Sequence, residues 1–188
     1  LHPWEEDTVP NYTGWEDEGR YTWVKAPRFQ GKPMQVGPLS QVLVAFAQGD
    51  ETTVKWASAA LEKVSAVAGA KLGPGILHST IGRHAARAIR CAVIAEHSLK
   101  HWDLLVNNIA SGDTAIFTPF EFPTGTIQGV GFHEAPRGVL SHWCVIEDGK
   151  IAKYQCVVPS TWNAGPRDAE GQMGPYEASL MGNPIADP

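Results

Sequence analysis

The sequence predicts a mainly α fold: a helical-bundle core with a long central helix, accompanied by a β-hairpin and extensive loops, so that the class is α+β in detail. Apolar residues recur every three or four positions across residues 79–109, and again over 54–68. Two strand-like runs, 138–146 and 151–158, are joined through an Asp-Gly pair, a strong hairpin signal. We expect residues 1–188 to form a single partial domain, with helices over about 38–110 and the hairpin over about 138–158.

Composition narrows the class of protein. The chain has 188 residues, is 43% hydrophobic and 19% charged, and carries a net charge of −5. This profile is typical of a folded soluble protein and argues against a general nucleic-acid binder. No apolar run approaches the roughly 20 residues that cross a bilayer. The chain has neither an initiating Met nor a signal peptide, so we expect it to be an internal piece of a longer one.

Local signals place the elements of the first half. Residues 1–37 are rich in Pro, Gly, Trp and acids and predict irregular structure with short extended pieces, such as 21–24. Residues 38–50 suit a short amphipathic helix that begins at a proline. Asp50 and Thr52 are candidate N-caps for the next helix, and Gly69 is a candidate stop.

The clearest predicted helix runs from about Ser79 to Ile109, roughly 45 Å long. Its apolar stripe follows an unbroken 4-3 spacing: Ile81, Ala85, Ala88, Ala92, Ala95, Leu99, Trp102, Val106 and Ile109. Such a stripe also suits a coiled coil, but its four central alanines favour close packing in a helical bundle. The pair Gly112-Asp113 is expected to end the helix.

Residues 113–137 are punctuated by Pro and Gly and predict a loop-rich connection to the hairpin. With Asp148 opposite Gly149, Glu147 faces Lys150 and Ile146 faces Ile151. The same register pairs Trp143 with Tyr154. Continued to the open end, it sets Gly138 against Pro159 and Arg137 against Ser160, where the prolines should end the pairing. Residues 161–188 predict a loop, with a short helix after Pro175.

Two segments are the strongest candidates for a site: Glu134-Ala135-Pro136-Arg137-Gly138 and Val157-Val158-Pro159-Ser160-Thr161-Trp162-Asn163. An arginine at a strand end is by default a surface charge. The hairpin register changes that expectation, because it brings a guanidinium and a hydroxyl to one rim. Such a cluster of donors suits a buried anion or a polarised ligand.

Other constellations are weaker. His97 and His101 lie at i, i+4 on the long helix beside Glu96, but the zincin pattern and a third ligand are missing. Ser160 lacks the Gly-x-Ser-x-Gly elbow of a serine nucleophile. The three cysteines, Cys91, Cys144 and Cys156, are scattered without CxxC spacing and favour neither a disulfide framework nor a zinc site.

The two segments, with Gly165-Pro166-Arg167, resemble the large, catalytic subunit of nickel–iron hydrogenases. Three further stretches are similar to its membrane-bound uptake subgroup: His2-Pro3-Trp4-Glu5, Tyr21-Thr22-Trp23-Val24-Lys25-Ala26-Pro27 and Gly82-Arg83-His84-Ala85-Ala86-Arg87. The resemblance covers essentially the whole chain. The Ala-Pro-Arg-Gly element is shared with the related quinone-site subunit of respiratory complex I. The motif Val-Pro-Ser-Thr-Trp-Asn favours a resemblance to hydrogenase over that subunit.

The resemblance implies a nickel–iron centre with cyanide and carbon monoxide on the iron, a magnesium ion and reversible heterolytic oxidation of H2. The family's two Cys-x-x-Cys motifs, which bind the metals, do not occur in this chain. The isolated piece is therefore expected to bind neither nickel nor iron and to be inactive. An iron–sulfur small subunit is the implied partner, with a membrane cytochrome b as a further candidate, at the periplasmic face of the membrane.

The resemblance also implies roles for particular residues. It places Arg137 over the open metal site, as a base or as an electrostatic stabiliser. Ala135, Pro136, Pro159 and Ser160 would line the pocket for the iron-bound cyanides, and the backbone carbonyl of Cys156 would bind magnesium. Two other readings stay open: a complex-I-like quinone-site or non-catalytic helical interaction protein, and a zinc hydrolase built on His97 and His101.

Overall fold

The computed structural model describes residues 4–5, 19 and 21–185. Most of residues 1–20 and the last three residues lie outside this part, including His2 and Pro3 of the motifs that carry the predicted resemblance. The described chain divides into two compact units. One comprises residues 38–121, and the other combines residues up to 37 with those from 122 onward.

The helical unit contains α1 (Pro38–Ala47), α2 (Glu51–Ala68), a 3₁₀ helix (Pro74–His78) and α3 (Thr80–Ala110). Local capping explains these boundaries. The Asp50 carboxylate accepts a hydrogen bond from the Thr53 N–H, and the Ser79 hydroxyl accepts one from the Gly82 N–H. Gly69 ends α2 in the left-handed conformation. The predicted helices agree with the observed ones within one or two residues, except that α1 ends at Ala47, three residues before its predicted end.

The core of the helical unit is a small apolar cluster. Its buried members are Leu39, Val42, Ala57, Leu77, Ala86, Ile89 and Val93. The face of α3 that packs here carries Gly82, Ala86, Ile89 and Val93, which differs from the predicted stripe. Ile81 of that stripe is 81% exposed and Leu99 is 69% exposed. The stripe prediction was wrong because α3 bears apolar side chains on more than one face, and α1 and α2 cover a different one.

The second unit is built on an antiparallel sheet of three strands in the order β1 (Thr126–Ala135), β2 (Gly138–Glu147) and β3 (Lys150–Val157). Two short helices follow, α4 (Pro159–Asn163) and α5 (Pro175–Leu180). The Asp-Gly turn and the helix after Pro175 are confirmed. The loop predicted over 113–137 is wrong for β1, and the loop predicted after 160 is wrong for α4, so the described fold is mixed α and β rather than mainly α.

The β2–β3 register begins as predicted and then slips by one residue. Glu147 faces Lys150 and Ile146 faces Ile151, but Val145 faces Lys153, so that Ala152 forms a bulge. Beyond the bulge, Trp143 faces Gln155 and Tyr154 faces Cys144. The predicted pairing of Trp143 with Tyr154 was therefore wrong, because one extra residue moves every later side chain to the other face.

The ladder also ends earlier than predicted, at Ser141 opposite Val157. The expected pairings of Gly138 with Pro159 and of Arg137 with Ser160 do not form. Gly138 instead pairs with Ala135 of β1, and Pro159 begins α4. Because proline lacks an N–H, it fits the first turn of a helix better than a strand.

Candidate functional site

Arg137 lies in the two-residue turn that joins β1 to β2. Ala135 and Gly138 form the last pair of the ladder, which leaves Pro136 and Arg137 as the central residues of the turn. Both central residues are exposed, whereas Ala135 is half-buried and Gly138 is buried. The sheet therefore fixes the backbone of Arg137 at the tip of a hairpin and leaves its guanidinium accessible.

Ser160 lies in the first turn of α4, directly after Pro159. The proline is buried and anchors the start of the helix, while Ser160 is exposed. At the other end of this five-residue helix, the Asn163 side chain reaches the backbone of Val36. The Val36 N–H donates to Asn163 Oδ1 at 3.0 Å, and Asn163 Nδ2 donates to the Val36 carbonyl at 2.9 Å.

The segment Val36–Gly37 also packs against the turn that carries Arg137. Gly37 has a φ of 115°, and a Cβ added there would lie 2.6 Å from the Arg137 carbonyl oxygen. Gly138 has a φ of 130°, and its added Cβ would lie 2.7 Å from the Gly37 nitrogen. Each glycine is needed for its positive φ and for this close approach of two backbones.

Val36–Gly37 is thus in contact with both candidate segments. It is hydrogen-bonded to α4 through Asn163 and packed on the Arg137–Gly138 backbone. Both segments contact Val36–Gly37, and the predicted β2–β3 register did not include these contacts. The strand register was the wrong reason for expecting them in one neighbourhood. The contacts of Val36–Gly37 are the physical link.

Sequence reasoning missed Val36–Gly37 and gave Asn163 no role of its own. The available signal was weak. A glycine that must adopt a positive φ looks like any loop glycine in a sequence, and an asparagine at a helix end is most often a cap or a turn residue. The contact between Val36 and Asn163 spans 127 residues, so local spacing could not reveal it.

Cys156 lies in β3 opposite His142 of β2, and it is half-buried. His142 Nδ1 is hydrogen-bonded to the Tyr154 hydroxyl on the same face of the sheet. On the opposite face, the Trp143 ring makes edge contacts with Trp4 at 5.0 Å and with Phe132 at 5.7 Å between centroids. The sheet below the Arg137 turn is therefore supported by aromatic packing on one side.

A polar network fixes the chain that follows α4. The Tyr21 hydroxyl donates to Glu177 at 2.5 Å and accepts from the Arg167 N–H at 2.7 Å. Arg28 donates to the carbonyls of Pro166 and Arg167 at 2.9 and 3.0 Å. Desolvation by burial, followed by the hydrogen bond to Glu177, raises the pKa of Tyr21 above its usual value of 10.0. Residues 21–28 are thereby joined to 166–177.

His97 and His101 were the weaker, zinc-binding alternative in the sequence. In the described part of the chain, no group of three or more His, Cys, Asp and Glu side chains is placed to hold a metal ion. Glu96, the neighbour of His97, accepts hydrogen bonds from Lys55 at 2.8 Å and Trp56 at 2.9 Å. These bonds, that from Lys55 first, lower the pKa of Glu96. His101 is exposed.

Comparison with known proteins decides the family. The family model described as "Nickel-dependent hydrogenase" matches residues 1–188. The chain belongs to the nickel-dependent hydrogenase family. It is 47% identical over 187 residues to the hydrogenase-2 large chain of Escherichia coli K12, covering 99% of this chain and 33% of that protein. It is 39% identical over 206 residues to the quinone-reactive Ni/Fe-hydrogenase large chain of Wolinella succinogenes, covering 100% and 34%.

Solved structures agree with this hydrogenase assignment. The chain superimposes on the [NiFeSe]-hydrogenase of Dm. baculatum with a TM-score of 0.70 and 33% sequence identity, covering 100% of this chain and 36% of that one. This hydrogenase chain therefore spans about a third of the length of the relatives that it matches. In its described part, no helix has an apolar stretch long enough to cross a membrane.

The side chains of Arg137 and Ser160 are hydrogen-bond donors rather than groups that coordinate a metal directly. Arg137 contributes an exposed guanidinium, and Ser160 contributes an exposed hydroxyl. Both groups donate hydrogen bonds, and the guanidinium is permanently charged. Donors of this kind suit anionic ligands carried by a metal, whereas thiolate, imidazole or carboxylate would be needed to bind nickel or iron itself.

Proposed function

We propose that this chain is part of the catalytic large subunit of a nickel–iron hydrogenase, which oxidises H2 reversibly to protons and electrons. Family membership and the 47% identity to a hydrogenase large chain support this proposal. The observation that carries it at the level of residues is the shared contact of the Arg137 turn and α4 with Val36–Gly37. It gives two donor groups, from separate parts of the chain, one common support.

The proposed centre contains nickel and iron, with cyanide and carbon monoxide on the iron, and supplies the heterolytic cleavage of H2 when bound. Arg137 stabilises developing negative charge there. Removing a proton from a guanidinium is very costly in any protein, so an electrostatic role is favoured over proton abstraction. A charged donor in a dry pocket acts more strongly than in water, because the dielectric screening is lower.

The cyanide pocket is assigned to Ser160, with Ala135, Pro136 and Pro159 as its lining. A cyanide ligand that is buried without a hydrogen-bond donor loses its hydration and gains nothing in return. A hydrogen bond from the Ser160 hydroxyl would offset this desolvation cost. The two prolines leave no N–H group of their own to be satisfied. The backbone carbonyl of Cys156 is proposed to bind a magnesium ion, since a hard cation prefers oxygen ligands, and the thiol takes no part.

Electrons from H2 must leave through a redox partner. We assign this role to an iron–sulfur small subunit. The quinone-reactive name of the Wolinella succinogenes relative supports a membrane cytochrome b as the next acceptor. The relatives named as uptake hydrogenases support a membrane-associated complex, which we place at the periplasmic face.

The competing functions are less well supported. A complex-I-like quinone-site subunit would share the Ala-Pro-Arg-Gly element, and a non-catalytic helical interaction protein would need no metal centre, but the matching family and the relatives reported above are hydrogenases. A zinc hydrolase would need a third ligand beside His97 and His101. Replacing both histidines with Ala should leave the nickel and iron content of the full subunit unchanged.

The test of the proposed function is Arg137→Lys in the full-length subunit, assembled with its partner. Lysine keeps the charge but cannot reproduce the planar fork of donors. We expect nickel and iron content, measured by plasma mass spectrometry, to stay at the parental level while H2 turnover falls by roughly two orders of magnitude or more. Arg87→Lys, at an exposed position of α3, is the matched control and should keep full turnover. Near-normal turnover in Arg137→Lys would refute the role.

A further inference from the structure

The Asn163 side chain makes a two-point contact with the backbone of one residue, Val36. Its oxygen accepts from the Val36 N–H at 3.0 Å, and its nitrogen donates to the Val36 carbonyl at 2.9 Å. Both bonds are partly shielded from solvent. A single hydrogen bond leaves a segment free to rotate about it, whereas two antiparallel bonds fix both position and orientation, as in a strand pair. Val36 is therefore held in one orientation by the end of α4.

The neighbouring contact transmits this position to Arg137. A Cβ at Gly37 would lie 2.6 Å from the Arg137 carbonyl oxygen, so the two backbones are already in contact without room between them. On the other side, a Cβ at Gly138 would lie 2.7 Å from the Gly37 nitrogen. Because close-packed atoms transmit displacement, a shift of Val36 must move the turn or open a gap beside it.

We infer that Asn163 is a positioning residue for Arg137: it sets the place of the Arg137 turn relative to Ser160 through the Val36–Gly37 backbone. Ser160 and Asn163 lie three residues apart on α4, so the same short helix carries the hydroxyl and the group that holds the turn. This inference rests on the proposed function, in which Arg137 and Ser160 act on one centre. Asn163 itself touches backbone only in the contacts described, so it is not a catalytic residue.

Asn163→Asp in the assembled, full-length enzyme is the decisive variant. Aspartate has nearly the same shape and still accepts from the Val36 N–H. It loses the donor and sets a second oxygen against the Val36 carbonyl, which costs the bond and adds repulsion. Asn163→Ala removes both bonds without adding charge, and it serves if the aspartate variant does not assemble. Asn108→Asp, an exposed position on α3, is the control for the chemical change alone.

Three readouts follow for each variant. Amide hydrogen exchange is expected to rise by about tenfold in peptides covering Val36–Gly37 and also in peptides covering 136–138. The infrared bands of the proposed iron-bound cyanides should shift, as they should in Ser160→Ala. The kcat for H2 should fall by roughly ten- to a hundredfold at unchanged nickel and iron content, with a smaller change in KM. The control should match the parent in all three.

The outcomes separate the two claims. If exchange rises only at Val36–Gly37, and the infrared bands and kcat stay at parental values while Arg137→Lys lowers kcat, the positioning role of Asn163 is wrong and the proposed function stands. If Arg137→Lys and Ser160→Ala also leave kcat and the bands unchanged, the proposed function is wrong. A purely stabilising role of Asn163 would lower the unfolding temperature and leave the bands of the folded enzyme in place.

Discussion

Gly37→Ala should loosen the Arg137 turn, and the structure allows its effect to be separated into two parts. The first part is conformational, because an L residue with a side chain rarely adopts a φ of 115°. The second is steric, because the new methyl group would lie 2.6 Å from the Arg137 carbonyl oxygen. Gly31→Ala is the matched control. Gly31 has a φ of 80°, but an added Cβ meets no atom within 4 Å.

The magnitudes follow from these distances. A left-handed backbone costs an alanine about 1–2 kcal/mol, and both variants incur a cost of this kind. Ordinary van der Waals contact begins at 3.4 Å, so the alanine at residue 37 must be accommodated by movement of the turn. Overpacking of this kind typically costs about 1–3 kcal/mol. Gly37→Ala should therefore be more destabilising than Gly31→Ala by about 1–3 kcal/mol.

Hydrogen exchange in the assembled enzyme measures the difference locally. At about 1.4 kcal/mol for each tenfold change, exchange in peptides covering 136–140 should rise roughly 5- to 150-fold in Gly37→Ala relative to Gly31→Ala. Peptides from α3 should be unaffected in both variants, because α3 belongs to the other unit. Equal exchange at 136–140 in the two variants would refute the close approach of Gly37 to the turn.

Three further predictions concern stability and titration. Gly82→Ala should lower the free energy of unfolding by roughly 1–3 kcal/mol, because its Cβ would overlap the backbone of the 3₁₀ helix. Gly75→Ala is the control, because a Cβ added there lies within 4 Å of no atom, and it should be neutral or stabilising by about 0.4–1 kcal/mol. Equal unfolding temperatures for the two variants would contradict the packing of Gly82. Hydrogen bonds within the α2 cap lower the folded-state pKa of Asp50, so the stability that its carboxylate contributes is present above the unfolded pKa and is lost as the pH falls through the folded pKa. Asp50→Asn should therefore make the free energy of unfolding in urea less dependent on pH over that acid range. An unchanged pH dependence would contradict this role. Burial and the hydrogen bond to Glu177 raise the pKa of Tyr21, so the stability that its neutral phenol contributes is complete below the unfolded pKa and is lost as the pH rises through the folded pKa. Glu177→Ala should bring the midpoint of the Tyr21 titration, followed by ultraviolet absorbance, closer to 10. An unmoved midpoint would exclude Glu177 as a cause.

Features that depend on neighbours in the sequence could be predicted. Asp50 was a candidate N-cap and Ser79 the approximate start of the long helix, and the side-chain oxygens of both accept from amides three residues ahead. Gly69 ends α2 and Asp148-Gly149 turns the hairpin, because both depend on residues that tolerate a positive φ. Each of these signals is complete within a few residues of chain, so no knowledge of the fold was needed.

Features that depend on distant contacts could not be predicted in the same way. The packed face of α3 is chosen by α1 and α2, and the 4-3 spacing of Ile81 and Leu99 does not identify it. Strand β1 was missed because its glycines, such as Gly129 and Gly131, resemble loop residues when the pairing strand is unknown. The bond between Val36 and Asn163 follows from the tertiary fold alone.

The candidate site shows the same division. Its residue types were evident from the two motifs, since a guanidinium and a hydroxyl are recognisable as donors at sequence level. Their arrangement was not, because the predicted register assumed an unbroken ladder between β2 and β3, and the bulge at Ala152 interrupts that ladder. The site assignment therefore depends on contacts around Gly37 and Asn163 that sequence spacing could not supply.

Because of the bulge at Ala152, the face on which each side chain of β3 lies depends on whether the number of residues in this strand is odd or even. Between the Asp-Gly turn and α4, adding or deleting a single residue would exchange the two surfaces of β3, turning Tyr154 and Cys156 away from His142. Changes of two residues would preserve the surfaces and alter only the reach of the strand. Length variation in this arm of the hairpin should therefore be tolerated in even steps, which makes Ala152 a structural part of the sheet rather than a dispensable irregularity.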